Sequence, residues 1–332
     1  MKRLIPLFSV FLIACNAYAQ EPFFSQFYNA PLSVNPAFTG TAYGYIRTTL
    51  NYKDYFNDFE KIRTVALAAD LSLLENDRNP DYAGVGIYFQ NDQAGQALTN
   101  TKVMASFSYH NAYGRDRNEF LAFGMQAGID NTNLDFAGLT TQSQWVIGQG
   151  FDMDLPNGEI IQGERATVIN FNAGLMWYKF LRNGTSFIVG VSSFHLAQPK
   201  RDFVGEENKL FRKYVAHGSS RIPVNQRMNF APSLLYFYQN GNHTISPGAA
   251  IEFVLQKDSY FSFGGWVRNF NAIIGTVQLE YNNFTVGASY DLLLSSISDA
   301  SRNGGLEISL NYLVKRTYKK RARIRSNTRP RL

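Results

Sequence analysis

The residue types that most often carry catalysis or bind metals are poorly spaced in this sequence. The four histidines are His110, His195, His217 and His243, and none stands in an H-x-x-x-H or H-E-x-x-H pattern, so packing at strand ends and loops is favoured over a metal site. Serines are abundant, but no G-x-S-x-G turn presents one as a nucleophile. We therefore expect no enzyme activity, no catalytic or cofactor-binding residue, and no cofactor.

One acidic cluster offers a weak calcium site. The stretch FDMDLPNGE brings together four oxygen-bearing side chains around a Pro-Asn-Gly turn: Asp152, Asp154, Asn157 and Glu159. Carboxylate and amide oxygens are ligands that Ca²⁺ accepts, but the spacing does not match the twelve-residue calcium loop. A solvated acidic turn is the favoured interpretation.

The N-terminus has the features of a secretory signal peptide. Lys2 and Arg3 precede an apolar run, and Ala17-Tyr18-Ala19 forms a small-x-small site, so we predict that residues 1–19 are removed. The alternative is a lipoprotein signal with Cys15 as the lipidated residue. Cleavage after Ala19 would remove the only cysteine, which excludes disulfides and thiolate metal sites from the mature chain.

The net charge of +6 is a property of the C-terminal tail. Residues 315–332 carry nine Lys or Arg and no acid, whereas residues 20–314 carry 21 basic and 26 acidic side chains. Nucleic acid is an improbable partner for an exported chain, so the tail is interpreted either as a solubilising end or as a contact with anionic headgroups or a protein.

Between these ends, apolar and polar residues alternate with a period of two, which is typical of β-strands with two different faces. In NFTVGASYDL and LEISLNYLV, large apolar residues occupy one face. The other face is small or polar, and we predict that it lines a lumen. Its members include Thr285, Ser289, Asp291, Glu307 and Asn311.

This alternation predicts an all-β fold, most simply a transmembrane antiparallel β-barrel of 12–14 strands, with 14 favoured. A soluble sandwich would also alternate. The barrel is favoured because charged residues are only 17% and aromatic residues 15% of the chain, and because strands of about ten residues match a tilted bilayer span. No apolar run reaches the roughly 20 residues of a spanning helix. These features indicate an outer membrane.

Counting the alternating runs gives thirteen strands, whereas single-chain bacterial barrels have an even number. Residues 141–148, TQSQWVIG, are the candidate for the missing strand. The two longest connections are predicted at 131–165 and 196–223, and connections of that length are usually functional.

A Pro- and aromatic-rich segment precedes the first strand. Residues 20–42, called the lead segment below, contain three prolines and a single charged residue. Because proline keeps the backbone extended without a hydrogen-bond ladder, we predict that this segment packs as a plug in or at the barrel. The predicted lumen contacts are Phe24, Gln26, Asn35, Pro36 and Phe38, with Gln26 and Asn35 bonding polar groups of the lumen.

The lead segment also resembles the N-terminal signature of the PorP/SprF family of outer-membrane proteins. The matching elements are Gln20-Glu21-Pro22, Phe24-Ser25-Gln26-Phe27, Asn35-Pro36-Ala37-Phe38 and Gly40. Further similar stretches are FGMQAGI at 123–129, VGVSSFHLAQP at 189–199 and YNNFTVGASYDL at 281–292. The chain departs from the family at 52–56, where YKDYF replaces an Arg-x-Gln-Trp element, and in its basic tail.

The resemblance implies a role in type IX secretion and gliding motility in the outer membrane of a Gram-negative bacterium. Implied partners are the C-terminal domain of a secreted surface protein or adhesin, periplasmic type IX machinery or a lipoprotein, and outer-membrane lipid. The alternative function is a channel for a small or hydrophobic solute. The expected organisation is signal peptide 1–19, lead segment 20–42, barrel 43–314 and basic tail 315–332.

Overall fold

The computed structural model describes most of the chain between the predicted signal peptide and the basic tail. The described residues are 21–42, 46–55, 62–73, 80–95, 97–135, 142–148, 150–152, 154–156, 165–201, 208–294 and 304–314. The signal peptide, the tail, and the calcium candidates Asn157 and Glu159 lie outside them.

Within these residues the chain forms one closed antiparallel barrel of fourteen strands. The strands are β1 Ile46–Tyr55, β2 Ile62–Leu73, β3 Tyr82–Ala94, β4 Leu98–Tyr113, β5 Glu119–Leu134, β6 Arg165–Phe180, β7 Ser186–Phe194, β8 Lys213–Asn225, β9 Met228–Gln239, β10 Asn242–Gln256, β11 Ser259–Arg268, β12 Ala272–Tyr281, β13 Phe284–Leu293 and β14 Gly305–Val314. Each strand pairs with its neighbour in sequence, and β1 closes on β14 with Ile46 opposite Val314. Closure leaves no unpaired sheet edge. The predicted all-β barrel is confirmed.

The alternation of the sequence decides which side chains face the lumen. Along β4, Lys102, Met104, Ser106, Ser108 and His110 are buried while the residues between them are exposed. The outward residues form an apolar surface, as lipid contact requires. No described helix is long and apolar enough to cross a membrane.

The location predicted for the missing strand is wrong. Residues Trp145–Val146 pair with Gly150–Phe151 in a small separate hairpin, and the strand that was overlooked is β8. Its sequence, KYVAHGSSRIPVN, hides the alternation because Gly218, Ser219 and Ser220 have little side chain. Pro223 also lies in the strand, next to an irregularity in its pairing with β9, and proline ordinarily argues against a regular strand.

Two of the predicted connection boundaries shift accordingly. β5 runs to Leu134 and β6 begins at Arg165, so the first long connection is residues 135–164; the second is 195–212, because β8 starts at Lys213. With an even number of strands, both lie at the barrel end opposite Ile46 and Val314. We call the end with these long connections the loop end and the other the turn end, since it includes two-residue turns at 226–227, 257–258 and 282–283.

Candidate functional site: the filled lumen

The lead segment folds into three short helical turns separated by prolines. They are Phe27–Asn29, Pro31–Val34 and Pro36–Phe38. Pro31 and Pro36 each stand at the start of a turn, where a missing N–H costs nothing. Asn35 caps the last turn, its Oδ1 accepting a bond from the Ala37 N–H at 2.9 Å. The prolines thus divide the segment into three short helical turns instead of one continuous helix.

These turns lie inside the barrel and run from the loop end towards the turn end. Glu21 contacts Lys213, the first residue of β8 at the loop end, while the Gly40 N–H donates to Asp70 Oδ2 at 2.7 Å near the turn end of β2. Gln26, Asn35 and Thr39 have no exposed surface. The first described residues of the lead segment therefore lie at the loop end.

Gln26 joins the lead segment to the last two strands. Its Nε2 lies 3.2 Å from the carbonyl oxygen of Glu307 and 3.3 Å from Ser289 Oγ, and its Oε1 accepts from Ser309 Oγ at 2.9 Å. Asn29 extends the network, because its Oδ1 accepts from Asn311 Nδ2 at 3.0 Å. Because an unbonded amide is costly in the interior, these bonds fix the depth of the segment.

Asn35 does the same on the opposite wall. Its Nδ2 lies 3.0 Å from the carbonyl oxygen of Leu175 on β6, 3.2 Å from that of Val191 on β7, and 3.0 Å from His217 Nε2 on β8. One amide therefore touches three adjacent strands.

The other predicted lead contacts are also buried within the barrel. Phe24 is 2% exposed and belongs to the interior apolar cluster. The Phe38 ring lies 4.9 Å from the His217 ring, and the Phe38 carbonyl accepts from Arg47 Nη2 at 3.0 Å. Pro36 lies against a glycine of the wall, considered next.

Glycines in the wall let the lead segment approach the strand backbones. A Cβ on Gly174 would lie 1.9 Å from Asn35 Oδ1, and one on Gly124 would lie 2.3 Å from the carbonyl carbon of Pro36. A Cβ on Gly84 would meet the carbonyl oxygen of Thr39 at 2.3 Å. Only glycine fits such distances, so wall and lead segment are shaped to each other.

Four charged side chains form an ion-pair group below the loop end, called the Lys53 cluster. Lys53 Nζ lies 3.3 Å from Asp291 Oδ2 and 3.6 Å from Glu307 Oε2, and Arg268 Nη2 lies 2.5 Å from Asp291 Oδ2. The lead segment takes part, since Glu307 accepts from the Ser25 N–H at 2.7 Å. Two acids balance two bases, which is the condition for burying charge.

Four of the five predicted lumen-facing residues contact the lead segment. Ser289, Asp291 and Glu307 are buried and contact it directly, Asn311 bonds Asn29, and Thr285 is half-buried on the same face. Their acid and amide groups are engaged in holding the plug.

A second charged group, the Glu21 cluster, lies at the loop end. The Glu21 carboxylate is 2.5 Å from Lys102 Nζ, 2.8 Å from Lys213 Nζ and 2.8 Å from His195 Nε2. Beside it, Asp130 Oδ1 lies 2.8 Å from Arg201 Nη2. Burial raises the pKa of the Glu21 carboxyl, but His195, Lys102 and Lys213 together lower it by more. The pKa therefore lies well below its ordinary value.

Three residues of the kinds that bind metal ions, two carboxylates and one imidazole, meet in this cluster. Oxygen or nitrogen atoms of Glu21, Asp130 and His195 lie within 4.8 Å of one another. However, Lys102, Lys213 and Arg201 already neutralise the two carboxylates. Burial lowers the pKa of His195 and so favours its neutral form, although Glu21 partly offsets this. The arrangement is an ion-pair network that ties Glu21, the first described residue of the lead segment, to β4, to the start of β8 and to the end of β7, with Asp130 of β5 beside it.

The sequence patterns do not predict either cluster as a group, although they place Asp291 and Glu307 in the lumen. They favour strand-end packing for His195 and do not single out Glu21, Lys53 or Lys102. The available signal was the period of two, since Lys53 and Lys102 share the inward face with small polar neighbours. A charge at such a position requires a buried counter-ion.

The calcium prediction receives no further support or objection. Asp152 is half-buried and Asp154 exposed, and the Asp154 N–H donates to Asp152 Oδ1 at 3.0 Å. Asn157 and Glu159 lie outside the described residues, so the calcium site stays a prediction.

Comparison with known proteins gives one family match. The model of the family described as type IX secretion system membrane protein PorP/SprF matches residues 16–312. No curated protein matches the chain.

Solved structures show the fold. The Ralstonia pickettii toluene transporter TbuX is 13% identical, with 86% of this chain and 92% of that chain covered and a TM-score of 0.51. The Pseudomonas putida toluene transporter TodX is 9% identical, with coverages of 87% and 95% and a TM-score of 0.47. Salmonella typhi OmpF is 9% identical, with coverages of 81% and 98% and a TM-score of 0.36.

Proposed function

As the chain belongs to the type IX secretion system membrane protein family PorP/SprF, we propose that it is a non-enzymatic partner of specific secreted proteins. It is needed for the secretion or surface anchoring of large cell-surface proteins, of the gliding-adhesin kind, and recognises their C-terminal domain. The family match carries this proposal. The family and the barrel support an outer-membrane location.

The filled lumen favours a supporting role over a conducting one. The lead segment bonds to strands on opposite walls, through Gln26 to β13 and β14 and through Asn35 to β6, β7 and β8. A barrel packed in this way is a rigid base for loops.

The loop end offers a contact surface. In the hairpin within the first long connection, Ile147 is 92% exposed, Trp145 52% and Phe151 53%. The Trp145 and Phe151 rings meet edge to face at 4.8 Å. Aromatic side chains are enriched at binding hot spots, and longer barrel loops are ordinarily extracellular, where secreted cargo arrives.

A strain lacking the gene tests this role. Mass spectrometry of its surface and medium fractions should show loss of one class of large surface proteins while other type IX cargo is secreted normally. Equal loss of all cargo would contradict cargo specificity, and unchanged surface proteins would contradict the role altogether.

A solute channel is the second candidate. The observation that favours it is the likeness in fold to TbuX, which is described as a toluene transporter. Planar-bilayer recordings separate the two functions, because a filled lumen predicts no steady current from the intact barrel. Deletion of residues 21–40 should raise conductance; a large current from the intact barrel would favour the channel.

A further inference from the structure

A cavity of about 90 Å³ lies between the lead segment and the wall formed by β7 to β12. Its inner part is aromatic: the Tyr28 and Trp266 rings stack with centroids 5.3 Å apart, and Phe38 lies on the other side with His217. Ala231 and Ala250 leave room on the wall.

The cavity is electrically neutral and open towards the turn end. Arg221 and Glu252 line it four residues before the turn-end limits of β8 and β10. Their side chains are 19% and 22% exposed and pair at 2.5 Å, Arg221 Nε to Glu252 Oε2. Because the two charges cancel, the cavity favours an uncharged ligand over an anion or cation.

The hydrogen-bond network around Asn35 fixes the proton of His217. Asn35 Oδ1 accepts from the Ala37 N–H, so the group 3.0 Å from His217 Nε2 is the Asn35 NH₂. The two Asn35 Nδ2 hydrogens are shared among three acceptors, the Leu175 and Val191 carbonyl oxygens and His217 Nε2. Because an amide nitrogen does not accept, the neutral ring that fits this site has Nε2 as the acceptor and its proton on Nδ1. Among the described residues Nδ1 has no hydrogen-bond partner, and His217 lines the cavity.

We infer that this cavity binds one uncharged planar ring carrying an acceptor oxygen, with the ring against Tyr28, Trp266 and Phe38 and the oxygen accepting from His217 Nδ1–H. Aromatic walls suit a ring because edge and face contacts add to the burial of apolar area. An engineered closed cavity of about 150 Å³ holds benzene. The space here is smaller but open at one side, so it cannot enclose a fused system, and a single ring would occupy it with its substituent towards the opening.

Such a ring has two sources: a small solute, or an aromatic side chain with its peptide carbonyl on a partner that reaches the turn end. Both share the chemistry and are separated by the choice of probe. The inference does not depend on the secretion role.

Trp266 supplies the readout. In a chain with Trp145→Phe and Trp177→Phe, Trp266 is the remaining tryptophan, and its emission is titrated with anisole and with ethylbenzene, which has the same size but no oxygen. We expect saturable changes with both and roughly two- to tenfold tighter binding of anisole, the span of one hydrogen bond. Equal affinities would overturn the role of His217.

A pair of matched substitutions tests whether the ligand binds in this cavity. Ala250 faces the cavity and Ala249, next in the same strand, faces outward. Ala250→Leu should abolish the response and Ala249→Leu should leave it unchanged; equal responses, or no saturable response in the parent chain, would overturn the site. Competition by N-acetyl-phenylalanine amide would identify a protein side chain as the natural ligand, and its failure a free solute.

Discussion

Glu21 holds the loop-end side of the lead segment to the barrel wall. Replacing it by glutamine removes the carboxylate paired with Lys213 and leaves Lys102 with only the more distant Asp130, 3.9 Å away. The two lysine side chains are only 13% and 10% exposed. We expect Glu21→Gln to lower the free energy of unfolding by about 3 kcal/mol, measured by urea unfolding in lipid vesicles. Glu119→Gln is the control, since Glu119 pairs with Lys179 at a more exposed site, and an equal loss there would contradict the account.

The contribution of Glu21 should depend on pH in a defined direction. Its pKa in the folded chain lies well below the ordinary value, about 4.3 in an unfolded chain. The stabilisation is therefore complete above that value and is lost as the pH falls through the folded pKa. The difference in unfolding free energy between wild type and Glu21→Gln should be flat from pH 8 to about 5 and shrink below about 4.3. A difference that grows in acid would refute it.

Gly174 tests the fit between wall and lead segment. An alanine Cβ there would lie 1.9 Å from Asn35 Oδ1, so the segment must move away and loses the bonds of Asn35. We expect Gly174→Ala to destabilise the barrel by about 1–3 kcal/mol and to make the lead segment susceptible to protease. Gly275→Ala is the control, because nothing lies within 4 Å of its added Cβ. Equal susceptibility of the two variants would contradict the packing described.

For single residues, the sequence predicts which side chains face the lumen better than it predicts which other side chains they contact. The period of two places Ser289, Asp291 and Glu307 on the inward face, as observed. It does not indicate that Asp291 meets Lys53 and Arg268. Lys53 lies on β1 and reaches Asp291 only when the barrel closes, and Arg268 lies two strands away on β11. Contacts between side chains of different strands depend on how the strands are aligned with one another, and the local sequence pattern does not contain that information.

Among the elements, the two long connections carry the prediction about sidedness. Both lie at the loop end, and barrels of this class keep short turns on the periplasmic side. In a chain whose natural cysteine is Cys15 alone, we expect Ile147→Cys to react with a membrane-impermeant maleimide on intact cells. Arg227→Cys, in the two-residue turn 226–227, should react only after the outer membrane is opened. The reverse labelling pattern would mean that the loop end faces the periplasm and would contradict this prediction.

The same scale shows why one strand escaped prediction. β3, β4, β12, β13 and β14 alternate large apolar with small polar residues and are evident from the sequence. β8 is held in the wall by neighbours on both sides, although Gly218, Ser219, Ser220 and Pro223 give little local preference for a strand. Tertiary context overrides local propensity here.

For the whole molecule, the lead segment and the barrel form one packed unit. The segment bonds to strands on opposite walls, so its removal would open a core of amides, rings and paired charges to water. The fold class followed from composition and period, whereas the path of the segment from loop end to turn end required the structure. The filled barrel and the exposed aromatic hairpin are the two features on which the proposed partnership with secreted proteins rests.

The most direct test of that role is purification of the affinity-tagged chain from detergent-solubilised outer membrane, with mass spectrometry of what accompanies it. We predict that large secreted surface proteins copurify, and that a soluble reporter fused to the C-terminal domain of one of them does so too. Recovery of the barrel without any secreted surface protein, or of the reporter equally with and without that domain, would contradict the account.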